Sequence, residues 1–202
     1  IFAQNPRARI MHTSYSDELV QKNSRNVRGV LTTEQFKQAF PATRMAPDSF
    51  AKKHWNTTEG GEFHAVSTSS AVTGFECGMD GDPFDGMLII DDPEKASGMS
   101  SAPYRSQMKD VAGQTIGTRL NHDDTPVLVI QQRTHPDDVS NWLMSGGTGD
   151  HWDVLCFAAI SDTGRPPEHY REYSHANIID YQIHTGALWP ERKPLDALHR
   201  IR

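Results

Sequence analysis

The alternation of apolar and polar positions along the chain predicts strands separated by helices. Residues 87–90 are four large apolar side chains in succession, and residues 126–133 contain a second apolar run. Runs of that length are typical of strands buried on both faces of a parallel sheet. Shorter strands are predicted over residues 9–12, over residues 62–67, where polar and apolar side chains roughly alternate, and over residues 152–157.

Helices are predicted between these strands from capping residues and apolar spacing. Residues 17–30 carry a thin apolar stripe and follow a polar segment that can cap a helix. Thr32 and Gln35 have the spacing of a capping box and predict a second, short helix ending near residue 40. Three further helices are predicted over residues 102–117, 135–144 and 194–198. This order favours an α/β fold with a mostly parallel sheet and helices on both faces.

The strand at residues 87–90 runs directly into Asp91, Asp92 and Pro93. Proline has no backbone donor and cannot extend a central strand, so the strand is expected to end at the two aspartates. Open α/β sheets bind ligands at the carboxyl ends of their strands. In nucleotide hydrolases this arrangement is the Walker B element, whose first acid holds Mg²⁺ and whose next acid positions or deprotonates the attacking water. The alternative interpretation is a strand that simply enters a polar turn.

Composition limits the class of protein. The chain has 202 residues, 36% hydrophobic and 23% charged, which is typical of a globular protein with one substantial core or two small ones, and a single domain is favoured. Its formal charge of -6 at pH 7 excludes the general basic field that drives non-specific nucleic-acid binding. Cys77 and Cys156 are too far apart in the sequence to form a zinc pair, and both are expected to be reduced. No apolar stretch is long enough to cross a membrane, and a cytoplasmic location is expected.

Polar residues at the end of the second apolar run add to the chemistry of the two aspartates. Nucleotide hydrolysis needs a phosphate cradle, a metal ligand, a water-orienting group and a cation for the developing charge. Gln131, Gln132 and Arg133 end the run, and a parallel sheet would bring them to the same edge as Asp91 and Asp92. The cradle is missing, since the sequence contains no G-x-x-x-x-G-K-[ST] segment. The alternative interpretation of these three residues is a solvated sheet rim.

A two-metal hydrolytic site is a competing interpretation of other residues. Residues 121–124 and 135–138 each contain one histidine and two carboxylates. They flank a strand of about seven residues, so they lie roughly 20 Å apart at about 3.3 Å per residue and cannot share metals about 4 Å apart. A turn and a helix start are the simpler interpretation.

Five segments in order resemble the large terminase subunit of tailed bacteriophages, the ATP-driven motor that packages DNA into a procapsid and cuts it. The family's strand and helix after the P-loop unit resemble residues 9–25, and its glycine-flanked hairpin resembles residues 60–74. Its Walker B element is similar to residues 88–93 and its coupling segment to residues 129–138. The stretch that leads toward its nuclease domain resembles residues 188–192. The resemblance covers nearly the whole chain.

The resemblance implies a RecA-like P-loop ATPase core with ATP and Mg²⁺ as cofactors. It implies that Asp91 is the metal ligand and that Asp92 is the catalytic carboxylate, where related motors often have glutamate. Gln131 is assigned to cofactor binding. Gln132 and Arg133 are assigned to the catalytic set that couples hydrolysis to movement.

The resemblance also implies partners and a domain division. The partners are double-stranded DNA, the portal protein and the small terminase subunit, in an oligomer assembled on the procapsid in the host cytoplasm, with no membrane. Residues 1–160 would be part of the ATPase domain without its Walker A segment, and residues 161–202 the connection toward a nuclease domain outside this chain. Residues 1–6 have neither an initiator methionine nor a signal peptide, which predicts the interior of a longer protein.

Two positions depart from the family pattern. Phe75 follows Gly74 where relatives often have a basic residue, so no arginine-finger role is carried over to it. Gln132 stands where a small hydroxyl residue is common, although an amide can still orient a water or sense a γ-phosphate. The alternative function is a non-catalytic α/β fragment of a degenerate prophage protein that keeps the fold without the activity.

Overall fold

The computed structural model describes residues 1–49, 51–68, 70, 74–79, 84–162, 172–179 and 185–200. Within these ranges the chain forms one five-stranded sheet and two small two-stranded sheets. The strands of the large sheet are β1 (Arg9–Ser14), β2 (His54–Asn56), β3 (Glu62–Ser67), β4 (Gly86–Asp91) and β5 (Val127–Ile130). The first four helices are α1 (Asp17–Leu31), α2 (Glu34–Ala39), α3 (Ala102–Arg119) and α4 (Val139–Met144), with a 3-10 turn at Ala96–Gly98.

The strand order of the large sheet is β2-β3-β1-β4-β5. Four neighbouring strands, β3, β1, β4 and β5, are parallel, and β2 is antiparallel to β3. β4 is therefore an interior strand between β1 and β5, and the carboxyl ends of the parallel strands lie at the same end of the sheet. The predicted α/β class with a mostly parallel sheet is confirmed.

The helix α1 covers one face of this sheet. It begins at Ser16, whose hydroxyl accepts a hydrogen bond from the Leu19 amide and so satisfies one of the free amides of the first turn. The apolar stripe predicted from the sequence is used for packing, because Val20 and Leu31 are buried against the sheet. The buried members of this core are Phe2, Ala8, Ile10, Val20, Leu31, Trp55, Phe63 and Ala65.

Trp55 is the largest side chain of that core and is completely buried. Its ring stacks on Phe63 with the centroids 4.9 Å apart. Its indole N–H donates to the Ser24 hydroxyl on α1 at 3.0 Å, which satisfies the one polar atom that burial of a tryptophan would otherwise leave unpaired. This contact ties β2 to α1.

The helix α3 lies over the opposite face. Successive side chains of a strand point to opposite sides, so Ile10 enters the core below α1 whereas Met11 and Thr13 of β1 point away from it. Met11 and Thr13 line a cavity whose other wall is α3. α3 begins at a Ser101 cap, has Pro103 in its first turn, and lies where a helix was predicted over residues 102–117. Helices on both faces of the sheet are therefore confirmed.

Contacts divide the chain into two compact units, Ile1–Ser140 and Asn141–Arg202. In the second unit β6 (Trp152–Val154) pairs in parallel with β8 (Ala176–Ile178), and β7 (Ile160–Ser161) pairs antiparallel with β9 (Gly186–Ala187). A last helix, α5 (Leu195–His199), follows Pro194 as predicted. The strand predicted over residues 152–157 is shorter than expected and belongs to a small sheet. The functional boundary at residue 160 stays a prediction.

Two predictions of detail are wrong. Thr32 ends α1, and Thr33 caps α2 by accepting a hydrogen bond from the Phe36 amide, so the capping-box spacing is not used. β5 is an edge strand and is not buried on both faces, because Leu128 is 43% exposed and Ile130 is 49% exposed.

Two further observations concern the described residues. Neither Cys77 nor Cys156 forms a disulfide. No helix in the described part of the chain combines the length and the apolar character that crossing a membrane requires.

Candidate functional site

The carboxyl end of β4 places Asp91 and Asp92 between the ends of β1 and β5. Asp91 is the last residue of β4 and pairs in register with Ile130 of β5. Asp92 is bonded to both neighbouring strand ends, since its amide donates to the Ile130 carbonyl at 2.8 Å and its carbonyl accepts from the Tyr15 amide at 3.0 Å. The strand ends at the aspartates, as the following proline predicted.

The backbone of Asp92 is in the left-handed region, with φ of 44°. This conformation costs about 1–2 kcal/mol for a residue with a side chain, and aspartate is one of the few that adopt it locally. The following Pro93 restricts the conformation further. The Asp92 carboxylate accepts a hydrogen bond from the backbone amide of Gln132 at 3.4 Å. The two adjacent strand ends thus hold a strained acid in a fixed position, as is common at functional sites.

Asp91 is contacted from the α1 side of the sheet. Asn23 donates through Nδ2 to the Asp91 Oδ2 atom at 3.0 Å, and His12 Nε2 lies 3.6 Å from the same oxygen. Burial lowers the pKa of His12, and the charge and hydrogen bond of Asp91 oppose that shift only in part. His12 is therefore neutral at pH 7, so it leaves the charge of the Asp91 carboxylate available to a cation.

The side chains that follow β5 are used within the protein. Gln131 donates through Nε2 to Glu94 Oε2, and its Oε1 accepts from both the amide and the hydroxyl of Ser140, at 3.1 and 2.6 Å. Arg133 donates through Nε to the fully buried Asp138 at 2.7 Å. Gln132 is exposed. The sheet brings the backbone of these residues to the two acids, but it directs the side chains of Gln131 and Arg133 to other partners.

Glu94 is a functional candidate that the sequence reasoning missed. It is only 6% exposed, and its Oε1 accepts from the Val139 amide at 3.2 Å. Burial raises the pKa of Glu94, and the hydrogen bonds from Val139 and Gln131 oppose that effect. The signal that could have found it is an acid directly after the proline that ends β4. His12 and Asn23 were also missed, although His12 is a polar residue that directly follows the apolar Ile10 and Met11 in a predicted strand.

Asp91 and Asp92 are carboxylates, which is the donor type that Mg²⁺ prefers. Among the described residues, no group of three or more histidine, cysteine, aspartate or glutamate side chains could hold a metal on its own. Mg²⁺ is usually bound by one or two carboxylates, with waters and substrate phosphates as the other ligands. Asp91 and Asp92 provide that donor type. The competing two-metal interpretation has no support in the described residues, and residues 121–125 form a turn as expected.

A cavity of about 440 Å³ lies on the other face of the sheet, between α3 and the strands β1 and β3. Its described lining includes the hydroxyls of Thr13, Ser67 and Thr115. None of the five predicted site residues is part of that lining. The cavity and the strand-end acids are therefore separate features.

Comparison with known proteins does not extend these observations. No protein-family model matches the sequence, and a search of curated proteins finds no significant match. The structure defines an α/β protein with two acids at the carboxyl end of an interior parallel strand.

Proposed function

We propose that this chain is part of an ATP-driven DNA-packaging motor with a RecA-like core, related to the large terminase subunits of tailed phages. The observation that carries the proposal is the position of Asp91 and Asp92 at the carboxyl end of β4, between the parallel strands β1 and β5. Ligands of open α/β sheets bind at the carboxyl ends of the strands, and phosphoryl transfer needs a metal-binding acid beside a water-orienting acid.

In this proposal each acid has one role. Asp91 binds Mg²⁺, which supplies charge neutralisation on the phosphates when it is bound. Asp92 orients or deprotonates the attacking water, and the Gln132 amide fixes its carboxylate. Gln132 is the best candidate of its segment for contact with a phosphate or water, because its side chain is exposed. Gln131 and Arg133 act as supports for this segment.

The proposal requires a phosphate cradle supplied by another part of the protein, since these 202 residues contain no P-loop motif. In a RecA-like sheet, as the resemblance implies, the P-loop strand lies beside the coupling strand. Within the described residues β5 has a neighbour on one side only, and this open edge with the exposed Leu128 and Ile130 is what a missing strand would leave. Double-stranded DNA, the portal and the small subunit are proposed partners from the resemblance alone.

Steady-state ATPase assays and a fluorescent-nucleotide titration on the intact protein test the proposal. Asp92→Asn should lower turnover by about 100-fold or more and leave nucleotide binding largely in place, because it removes the water-activating group. Asparagine also tolerates a positive φ, so the substitution changes the charge without forcing the backbone to move. Asp91→Asn should weaken the response to Mg²⁺ as well.

Asp110→Asn is the matched control, since Asp110 is an exposed acid on α3. It should leave turnover unchanged. Near-normal ATP turnover in Asp92→Asn would contradict the Walker B assignment.

A second candidate function is a non-catalytic remnant of a prophage protein. The engagement of Gln131 and Arg133 in contacts within the protein favours it, because both side chains are bonded to other side chains of the chain. The two candidates differ in the gene upstream of Ile1: a P-loop there supports the motor, and its absence supports the remnant. Lack of ATP turnover in the unsubstituted intact protein would also favour the remnant.

A further inference from the structure

A hydrogen-bond network joins the loop after β4 to the segment after β5, and we call it the Glu94 network. Its members are Glu94, the side chain of Gln131, the backbone amide of Val139, and the amide and hydroxyl of Ser140. Glu94 and Val139 are buried, at 6% and 0% exposure. Buried polar networks hold a unique geometry only when every member is satisfied, and each polar atom named here has a partner.

We propose that Glu94 is a positioning residue, which sets the place of the segment after β5 relative to Asp92 by accepting hydrogen bonds from both Gln131 and Val139. The catalytic part of this inference rests on the function proposed above. The structural part does not, because it concerns only contacts within Ile1–Ser140.

The chemistry of the network requires a carboxylate at position 94. The Val139 amide can only donate, so one oxygen of residue 94 must accept from it. Ser140 donates its amide to Gln131, so the Gln131 oxygen must face Ser140 and its NH₂ group must face residue 94. Both oxygens of residue 94 are therefore acceptors. A glutamine at position 94 would place one NH₂ group against another.

The network is adjacent to the proposed catalytic acid at two points. Glu94 follows Asp92 by two residues, and the Gln132 amide that binds the Asp92 carboxylate directly follows Gln131. The rest of the segment is held by further ion pairs, since Asp137 pairs with Arg105 and Lys109 of α3. Movement of Gln131 would therefore move the Gln132 amide away from Asp92.

A reciprocal exchange of the two side chains tests the inference. In Glu94→Gln, two NH₂ groups face each other, and in Gln131→Glu, two carboxyl groups do. The double variant E94Q/Q131E restores the pattern, because the carboxylate now at position 131 can accept from the NH₂ group now at position 94 and from Ser140. The amide oxygen at position 94 then accepts from Val139. The double variant has the same composition and net charge as the unsubstituted chain. A difference between the single variants and the double variant therefore reports the pairing of the two side chains and not which residue types are present.

Hydrogen exchange of the Gln132, Val139 and Ser140 amides in the intact protein is the first measurement. Each single variant should exchange these amides about tenfold faster or more, since hydrogen bonds to a charged group are lost. The double variant should return to within about threefold of the unsubstituted protein. The inference is overturned if the amides of the single variants exchange hydrogen at the original rate. It is also overturned if the double variant E94Q/Q131E does not recover the protection of these amides.

ATPase kinetics are the second measurement, with Gln107→Glu on the exposed surface of α3 as the control for adding a carboxylate. The single variants should lower kcat about tenfold with KM for ATP unchanged, and E94Q/Q131E should recover it. Altered amide exchange with unchanged kcat would overturn the positioning role. Absence of turnover in the unsubstituted protein would overturn the proposed function, whereas the exchange result would still decide the placement of the segment.

Discussion

At the scale of single residues, His64 of the sheet is expected to respond to pH. His64 of β3 lies between His54, whose ring stacks on it at 4.9 Å, and Phe75, whose ring meets it edge-on at 4.9 Å. Burial lowers the pKa of His64, the neighbouring His54 lowers it further, and Glu62 opposes both effects. The folded protein therefore prefers the neutral ring.

This preference predicts a loss of stability in mild acid. The folded state binds the His64 proton less readily than the unfolded state, so this contribution to the free energy of unfolding is complete above about pH 6.5 and is lost as the pH falls below that value. Urea unfolding from pH 7.5 to 5 should show a smaller acid-induced loss for His64→Gln than for the unsubstituted chain. His199→Gln is the control for removing an exposed histidine, and equal losses in all three proteins would contradict the prediction.

Gln132 and Arg133 are neighbours but should respond differently to replacement by alanine. Arg133 pairs with the fully buried Asp138, so Arg133→Ala should lower the free energy of unfolding by up to about 3–5 kcal/mol. Gln132 is exposed, and Gln132→Ala should change the free energy of unfolding by no more than about 0.5 kcal/mol. Under the proposed packaging function, Gln132→Ala in the intact protein should reduce DNA packaging more than ATP hydrolysis. An equal fall in both activities would mark a catalytic or structural role, and no change in either would support the solvated-rim interpretation.

At the scale of elements, β5 differs most from its sequence prediction, because its apolar run lies at the edge of the sheet. Unpaired strand edges with apolar side chains favour association of chains. Leu128→Lys should therefore lower the light scattering of the purified chain at little cost in stability, since Leu128 is already 43% exposed. Val30→Lys, at an exposed apolar position of α1, is the matched control and should leave scattering unchanged. Equal effects of the two substitutions would mean that general charge, and not the edge, controls association.

The elements also show what the sequence can and cannot predict. The starts of α1 and α3 were predictable because Ser16 and Ser101 act locally, through hydrogen bonds to the chain three residues on. The edge position of β5 was not, since an apolar run reports its composition and not its neighbours. The partners of Gln131 were also unpredictable, because Glu94 is brought to it only by strand pairing. The parallel pairing of β4 with β5 was itself predicted correctly, and it places the Gln132 backbone beside Asp92.

At the scale of the whole molecule, the 202-residue chain is expected to be inactive on its own. It has a formal charge of -6, and Asp91 and Asp92 present negative charge to a polyanion without the backbone amides and lysine of a P-loop. Calorimetry should find no binding of Mg²⁺-ATP tighter than about 1 mM, equivalent to about −4 kcal/mol, and no ATPase or DNA cleavage. A titration with Mg²⁺ alone is the control. Micromolar binding of ATP by a monodisperse monomer would show that a cradle exists within this chain.

The left-handed backbone of Asp92 restricts which acid can occupy that position during evolution. A short side chain bonds to nearby backbone groups and so tolerates a positive φ, whereas the longer glutamate gains no such compensation. The packaging motors to which the proposed function compares this chain often carry glutamate as the catalytic carboxylate, which reaches one methylene further toward a substrate. In this chain the turn before Pro93 selects the shorter acid. A homologue that carries glutamate here should therefore have a relaxed backbone at this residue and a negative φ.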